Sequence, residues 1–353
     1  MWVVPVYNCS MHYRLLIKPL LLLGIVLLAA CADTTVEQPF RLYLERLGTT
    51  LEVEATTTAP AVVIPRLPRP GQLRLEITSD TLGTLDFMDL RGCALQTTIG
   101  KSNSSLGRLA RDSQKLLLAL EFLRLAPECV TTLEDQGDDA LAQTLARAHA
   151  IKQRQLPALI FNATLGSEEF QGFWRPGPLQ ANYPQETSSE VITAMEGITA
   201  SSERWLTGDY NADNMTLELQ LSAVAGGDGG QLWKALQHQE QWLTRANSML
   251  RQKLQSGPLC AENYRPAAAK ILPNVIDKFF IQGIQPRAAA MGRRYHQLLP
   301  PVEKLEQLLQ PDLPDNYRDW QQQRIQAMTV LTRQPRDHVA ELQKLLSSCQ
   351  GNP

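Results

Sequence analysis

The stretch RDSQKLLLALEFLRL, residues 111–125, decides the fold class of this chain. From Leu116 onward, apolar residues occupy nearly every side of the expected helix, which is typical of a helix that neighbours bury on most faces. Glu121 and Arg124 interrupt the apolar run, and these charges exclude a lipid-spanning segment. Because a buried helix needs other helices to cover it, the stretch predicts a core of packed helices.

The remaining sequence extends this helical prediction in both directions. Apolar residues recur at helical spacing over 40–51, and four prolines over 60–70 predict a stiff connector. Residues 73–77 alternate as a short strand would, or form an extended packing segment. Further helices are expected over 84–100, 111–125, 138–155, 186–206, 213–225, 231–255, 266–283, 286–299, 316–332 and 335–346. We therefore predict an all-α fold, an irregular multi-helix bundle of roughly ten helices.

Prolines, glycines and polar runs predict where these helices end. Pro157 is expected to stop the helix before it, Pro273 to kink its helix, and Pro335 to open the last one. KSNSSLG at 101–107 is expected to be a loop. The run GGDGG at 226–230 predicts a tight turn between two antiparallel helices.

The N-terminus has the layout of an exported lipoprotein. Arg14 and Lys18 flank the start of an apolar stretch, which continues over 20–30. A basic start, a short apolar run and small residues at its end are typical of a secretory signal peptide. The final LAAC resembles the bacterial lipobox, which implies lipidation of Cys31 and removal of residues 1–30. An ordinary signal peptide, or an uncleaved anchor with a chance cysteine, is the alternative.

This resemblance also gives the chain an organisation and an address. An aspartate directly after the lipidated cysteine usually retains a lipoprotein in the inner membrane, and Ala32 stands there instead. The resemblance therefore implies a lipid-anchored protein at the periplasmic face of the outer membrane. We predict a signal peptide over 1–30, with Met11 as an alternative start. An anchor with the first helix and the Pro-rich connector follows over 31–72, and a helical domain over 73–353.

Four cysteines remain after Cys31, namely Cys93, Cys129, Cys260 and Cys349. An even number in an oxidising compartment predicts disulfides, of which three connectivities are possible. We favour pairing of the nearest neighbours because each pair then lies within one half of the chain. In a simple helical hairpin Cys129 would lie too far from Cys93, so this pairing requires a break at the preceding glycine. Four buried free thiols are the alternative, and without a CxxC motif or a neighbouring histidine no metal site is predicted.

Composition excludes some partners. The formal net charge is −2, and the signal peptide contributes only basic residues, so the remainder is slightly more acidic. Binding to nucleic acid needs a concentrated basic face, and we predict no nucleic-acid partner.

Two segments are candidate binding sites. Asn103, Ser104, Ser105 and Arg108 offer an amide, two hydroxyls and a cation, which could hold an anion or a sugar hydroxyl. The alternative is hydrogen bonding within the loop and at a helix cap.

The second segment, NATLGSEEFQGFW at 162–174, is expected to be an aromatic-rich loop. Asn162, Phe173 and Trp174 combine ring surface with a polar group, as suits recognition of a glycan, a lipid or a protein partner. The alternative is that the rings attach a long loop to the core.

No catalytic residue, metal or cofactor is predicted. The sequence has neither a GxSxG elbow nor an HExxH motif, and its histidines are scattered. The adjacent acidic pairs at 138–139 and 168–169 point apart on a helix. They are better interpreted as helix starts than as the two facing carboxyls of a glycosidase.

Several strings together resemble the domain-of-unknown-function 3080 family of gammaproteobacterial lipoproteins. They are LRGC (90–93), NSSLGR (103–108), LPALIFNATLGSEEFQGFW (156–174), GDGG (227–230), LC (259–260) and ILPNVIDKFFIQGIQP (271–286). The resemblance covers nearly all of the mature chain. It implies an uncharacterised envelope lipoprotein and offers no catalytic residue to transfer.

Two hypotheses follow. The first is a non-enzymatic protein, attached to the membrane through its lipid, that binds an envelope protein or a glycan. The second is an enzyme that acts on peptidoglycan or another envelope polymer. Two convergent carboxylates in a groove, or a hydrogen-bonded Ser/His set, would favour the enzyme, whereas a shallow apolar patch without shifted pKa values would favour binding.

Overall fold

The computed structural model describes residues 35–55, 61–78, 90, 92–185, 187–261 and 264–349. The signal peptide, Cys31 and residues 84–89 and 91 of the helix expected over 84–100 lie outside the described residues, and the helix that is present there begins at Leu95. Thr35–Pro353 is one compact unit.

The predicted all-α fold is confirmed: the described residues are 74% helical and contain no β-strand. It has eleven α-helices of six or more residues. They are α1 (Gln38–Leu51), α2 (Leu95–Asn103), α3 (Asp112–Asp135), α4 (Asp139–Ala163), α5 (Glu168–Phe173), α6 (Glu190–Leu206), α7 (Asn214–Ala225), α8 (Gly229–Gln255), α9 (Ala267–Val275), α10 (Gln285–Leu308) and α11 (Asp315–Ser347). Single helical turns occupy Pro70–Leu73 and Ser105–Arg108, a π-helix Ile276–Ile281 and a 3-10 turn Gln310–Asp312.

Two of the predicted proline breaks are wrong. α4 continues through Pro157, and α11 continues through Pro335 as one helix of 33 residues. A proline inside a helix removes one hydrogen bond and costs roughly 3 kcal/mol. Buried residues precede and follow each of the two prolines, so core packing on both sides offsets that cost. At Pro273 the α-helix is not broken at once: α9 continues to Val275, and the π-helix Ile276–Ile281 follows it directly.

The segment 101–107, predicted as a loop, is mostly helical. α2 extends to Asn103, and a further helical turn covers Ser105–Arg108. Between them Ser104 has an extended backbone, and its hydroxyl accepts a hydrogen bond from the Gly107 amide at 3.0 Å. The serine run therefore caps a helical turn, which was the alternative interpretation of these residues.

Residues 74–78 form an extended segment without a strand partner. Instead of a neighbouring strand, the side-chain amide of Asn162, at the end of α4, bonds the backbone of this segment. It accepts a hydrogen bond from the Leu75 amide and donates one to the Leu75 carbonyl, both at 2.9 Å. The alternation of residues 73–77 thus reflects an extended packing segment.

The core consists of three clusters of buried side chains. The largest joins α3, α4, α5, α6, α7, α8, α10 and α11. A second cluster joins α1, the C-terminal half of α8, α9 and the end of α11. The third lies between α2 and the outer ends of α3 and α4. The long hairpin of α3 and α4 therefore contributes to two clusters, one at each of its ends.

A turn lies within the predicted stretch 226–230, since α7 ends at Ala225 and α8 begins at Gly229, but α7 packs on α5 and α6 and does not form an antiparallel hairpin with α8. A side chain at Gly230 would collide with the backbone of Trp174 and Arg175. This close approach is the physical reason for a glycine at the start of a long helix.

The predicted disulfides Cys93–Cys129 and Cys260–Cys349 are confirmed, with Cα–Cα distances of 5.5 Å and 5.1 Å. Gly92 has a φ of +95°, a conformation that favours glycine. It supplies the break that the first pairing requires, because Cys93 precedes α2 instead of lying within a helix.

His338 is fully buried in α11 between α1 and α8. Its Nδ1 lies 2.6 Å from Oδ1 of Asn247, which can only accept, so Nδ1 carries the proton. Its Nε2 then accepts a hydrogen bond from the Tyr43 hydroxyl at 2.8 Å. Burial lowers the pKa of His338 to about 3. The neutral ring is therefore the stable form inside the fold.

We expect this histidine to make the protein acid-sensitive. An unfolded histidine titrates at about pH 6.5, so between that pH and about 3 the unfolded chain binds a proton that the folded chain excludes. From this group alone the free energy of unfolding should fall by about 1.4 kcal/mol per pH unit. Urea unfolding at pH 6 and pH 4 should show a shallower pH dependence for His338→Gln than for wild type. His296→Gln, at an exposed position of α10, is the control, and equal slopes in all three proteins would contradict the prediction.

Candidate functional site

A cavity of about 750 Å³ lies between α2, α3, α4 and the extended segment 74–78. It sits where the largest core cluster and the α2–α3–α4 cluster meet along the hairpin. Its size falls in the range of roughly 300–1,000 Å³ that is typical of small-molecule sites. We call it the hairpin cavity.

Apolar side chains from all four elements form much of its wall. They are Leu75, Ile77, Ile99, Leu118, Phe122 and Leu159. Five of the six are aliphatic, so the wall offers a surface for hydrocarbon.

The described residues that line this cavity include four cations and two carboxylates. Arg74 donates a hydrogen bond to Asp112 at 2.6 Å, which partly neutralises both groups. Arg108 and Lys115 make no ion pair with any other described residue. The ammonium group of Lys152 lies 5.4 Å from the centre of the Phe122 ring. With Glu76 as the second carboxylate, cations outnumber carboxylates among these described residues.

The wall also holds a buried hydroxyl without a partner. Thr98 of α2 is 2% exposed, and its Oγ1 makes no hydrogen bond within the structure. An unsatisfied buried polar group costs roughly 1–3 kcal/mol, and most such groups find a partner. This hydroxyl therefore gains a hydrogen bond from a molecule in the cavity only if a local shift of the side chain opens it.

The structure brings two of the predicted binding residues to this cavity and separates the others. Asn103 and Arg108 line it, and both are exposed. Ser104 is occupied as a helix cap and also donates to the Lys101 carbonyl at 2.7 Å. Ser105 is exposed in the helical turn that follows and does not line the cavity.

Asn162 is buried and holds the backbone of Leu75, as described above. It also lines a smaller neighbouring cavity of about 340 Å³. Arg74 and Asp112 line both cavities, so their ion pair is common to the two. The role of Asn162 is thus to position the segment that forms one wall of the hairpin cavity.

Phe173 and Trp174 belong to the largest core cluster and are 0% and 7% exposed. Their rings pack edge-to-face at 4.8 Å, and Trp174 contacts the rings of Trp233 and Trp320 at 5.4 Å each. These contacts support the alternative interpretation, in which the rings attach the segment to the core. A role of these two rings in ligand binding stays a prediction.

The acidic pairs lie at helix starts, as the sequence indicates. Asp138 caps α4 by accepting a hydrogen bond from the Leu141 amide at 3.2 Å. Glu168 and Glu169 occupy the first turn of α5, which Ser167 caps. The residues that the structure describes contain no group of three side chains that could hold a metal ion.

Sequence reasoning missed Arg74, Thr98, Lys115 and Lys152. A signal for one of them was present in the helical period. Lys115, Leu118 and Phe122 lie on one face of α3, so a lysine heads an otherwise apolar stripe. A lysine beside buried positions indicates either a residue at the edge of the core or one that pairs with a buried polar group. The other three became visible only when segments distant in sequence came together.

None of the described helices combines the length and the apolar character that a membrane span requires. No curated protein and no solved structure matches the chain. A family described as a protein of unknown function, DUF3080, matches residues 40–353, which is most of the chain. Both the resemblance noted in the sequence and this match point the same way, and the chain belongs to the DUF3080 family.

Proposed function

We propose that this protein is a lipid-anchored envelope protein whose helical domain binds a ligand in the hairpin cavity and does not transform it. The anchor is Cys31 in its lipobox, and the proposed location is the periplasmic face of the outer membrane. The observation that carries the binding role is the hairpin cavity itself, with its apolar wall and its excess of cations.

The placement of the acidic groups also supports binding rather than catalysis. Asp112, a carboxylate of the cavity, is engaged by Arg74 at 2.6 Å. Asp138 is engaged at the start of α4. A hydrolase needs an acid and a base that face its substrate, and Glu76 is the one described carboxylate of the cavity that lacks a structural partner.

Photo-crosslinking in living cells tests the binding role. A p-benzoylphenylalanine in place of Asn103 or of Ser102 places the reactive group at the cavity, at positions that are exposed. The control carries the same group in place of Tyr264, which is 67% exposed and does not line the cavity. We expect illumination to attach one defined molecule at 103 or 102 and not at 264, and mass spectrometry to recover that molecule unaltered. Equal labelling at all three positions, or a captured molecule that the protein has cleaved, would contradict the proposal.

A further inference from the structure

We propose that the hairpin cavity takes an anionic amphiphile, a molecule with one carboxylate or phosphate head group on a single unbranched hydrocarbon chain. This inference rests on the proposed function and names the chemical class of its ligand. Three features of the cavity, which belong to different elements of the fold, each select one property of that molecule.

The charge of the head group follows from the cations. Arg108 and Lys115 have no ion-pair partner among the described residues, while the Asp112 carboxylate is already engaged by Arg74. A cationic head group would meet Arg108 and Lys115, and Glu76 is the one described carboxylate of the cavity left to balance it. An acidic head group gains charge-assisted hydrogen bonds from both. The two cations lie on different elements, Arg108 on the single turn after α2 and Lys115 in the first turn of α3.

The hydrocarbon chain of the proposed ligand is inferred from the apolar wall of the cavity. Leu118 and Phe122 of α3 face Leu159 of α4 and Ile99 of α2 across the same cavity. Aliphatic side chains supply no hydrogen bonds to the hydroxyls of a sugar, and one phenyl ring is a small platform for stacking. A flexible hydrocarbon fills such a wall at a gain of about 0.8 kcal/mol per methylene, which is roughly a fourfold gain in affinity.

The hydroxyl of Thr98 adds a third and independent observation. Its Oγ1 is unsatisfied within the protein and closed to a water-sized molecule, so a ligand oxygen pairs with it only after a local shift of the Thr98 side chain, and that pairing removes an existing penalty. Replacing Thr98 by valine removes the unsatisfied group and keeps the shape. Thr98→Val is therefore expected to leave the protein at least as stable as wild type and yet to bind the ligand several-fold more weakly.

Photoaffinity labelling of the full-length lipidated protein in phosphatidylcholine nanodiscs tests the ligand class. Four probes carry a diazirine on the same twelve-carbon chain and differ in their head groups: phosphate, carboxylate, maltoside and trimethylammonium. The readout is the probe concentration that half-labels peptides from α3 and α4. We expect the phosphate and the carboxylate to label at concentrations at least tenfold lower than the maltoside and the ammonium. The ratio between the two anionic probes distinguishes a phosphorylated lipid from a fatty acid as the source.

Competition separates the chain from the head group. Octyl phosphate is four methylenes shorter and should compete on the order of 100-fold more weakly than dodecyl phosphate. Inorganic phosphate should not compete at millimolar concentration. If inorganic phosphate competes as well as dodecyl phosphate, the site binds a simple anion and the proposal is overturned.

A matched pair of variants ties the labelling to this cavity. Arg108→Gln with Lys115→Gln removes two cations that line it, and we expect the half-labelling concentration of the phosphate probe to rise about tenfold or more. Arg265→Gln with Lys270→Gln removes two cations at exposed positions outside the cavity. This pair should change the half-labelling concentration of the phosphate probe less than twofold. Equal effects of the two pairs would overturn the assignment of the head group.

The failures of the two proposals are distinguishable. If the crosslinker at 103 or 102 captures a molecule from cells while neither anionic probe labels α3 and α4, the protein binds a ligand of another class. In that case this inference fails and the proposed function stands. If the crosslinker captures nothing and none of the four probes labels the cavity, both fail.

Discussion

Replacing Arg324 by methionine is expected to lower the free energy of unfolding by about 3–5 kcal/mol. Arg324 in α11 and Glu306 in α10 form two parallel hydrogen bonds of 2.6 Å and 2.8 Å, and each side chain is 1% exposed. The Tyr317 hydroxyl and the Gln321 amide donate to the same carboxylate at 2.7 Å and 2.8 Å. Removal of the cation leaves a buried, uncompensated carboxylate at the centre of the largest cluster.

The electrostatics of the Arg324–Glu306 pair supports an expected loss of this size in the free energy of unfolding. Burial by itself lowers the pKa of Arg324, yet the Glu306 carboxylate raises it above its usual value. The guanidinium also lies 5.0 Å from the Trp320 ring and 5.4 Å from the Trp174 ring, so it is held by aromatic faces as well as by charge. The structure therefore stabilises the charged form of Arg324 despite its burial.

Urea unfolding followed by circular dichroism measures this effect. Arg333→Met is the control in the same helix, because Arg333 pairs with Asp337 at the surface, where the side chains are 62% and 40% exposed. An exposed pair of this kind contributes at most about 1 kcal/mol. The double variant Glu306→Gln, Arg324→Met should regain part of the loss, because it leaves no buried charge. If Arg324→Met costs no more than Arg333→Met, the pair does not hold α10 and α11 together.

Replacing Cys31 by serine is expected to abolish lipidation of the protein and its delivery to the outer membrane. A single acyl chain binds a bilayer marginally, and stable anchoring needs a second signal, which a lipobox cysteine supplies as further acyl chains. We expect wild type to fractionate with outer membranes and to incorporate an alkyne-labelled fatty acid. Cys31→Ser should incorporate none and remain as the longer precursor, which its uncleaved apolar segment keeps in the inner membrane.

Cys9→Ser is the matched control, because it removes the other N-terminal cysteine and leaves the lipobox intact. It should be labelled and processed as wild type is. If Cys31→Ser is trimmed and sediments like wild type, the lipid anchor and the location proposed from it are both wrong.

The sequence predicted the helical class because that prediction depends on local periodicity. The apolar run from Leu116 indicates a buried helix wherever its neighbours lie. The ends of helices were less predictable, because Pro157 and Pro335 lie where buried residues before and after them outweigh the local cost. That balance depends on tertiary packing, which no local pattern contains.

The candidate site was predictable only in part. Asn103 and Arg108 stood out because polar residues preceded a buried helix, and both line the hairpin cavity. Trp174 stood out because it was expected in an aromatic-rich loop, yet it lies in the core beside Arg324. Thr98 gave no signal, since an ordinary threonine becomes notable only when the fold buries its hydroxyl without a partner.

The two disulfides impose an order on how the chain can mature. The first bridge joins positions 36 residues apart, so both thiols exist early, while synthesis is still in the middle of the polypeptide. The second bridge spans 89 residues, so the Cys260 thiol waits longer before its partner Cys349 has been made. During that interval Cys260 is a free thiol that can be captured by the wrong cysteine. Loss of the later cysteine, as in Cys349→Ser, would therefore leave the sulfur of Cys260 without its native partner.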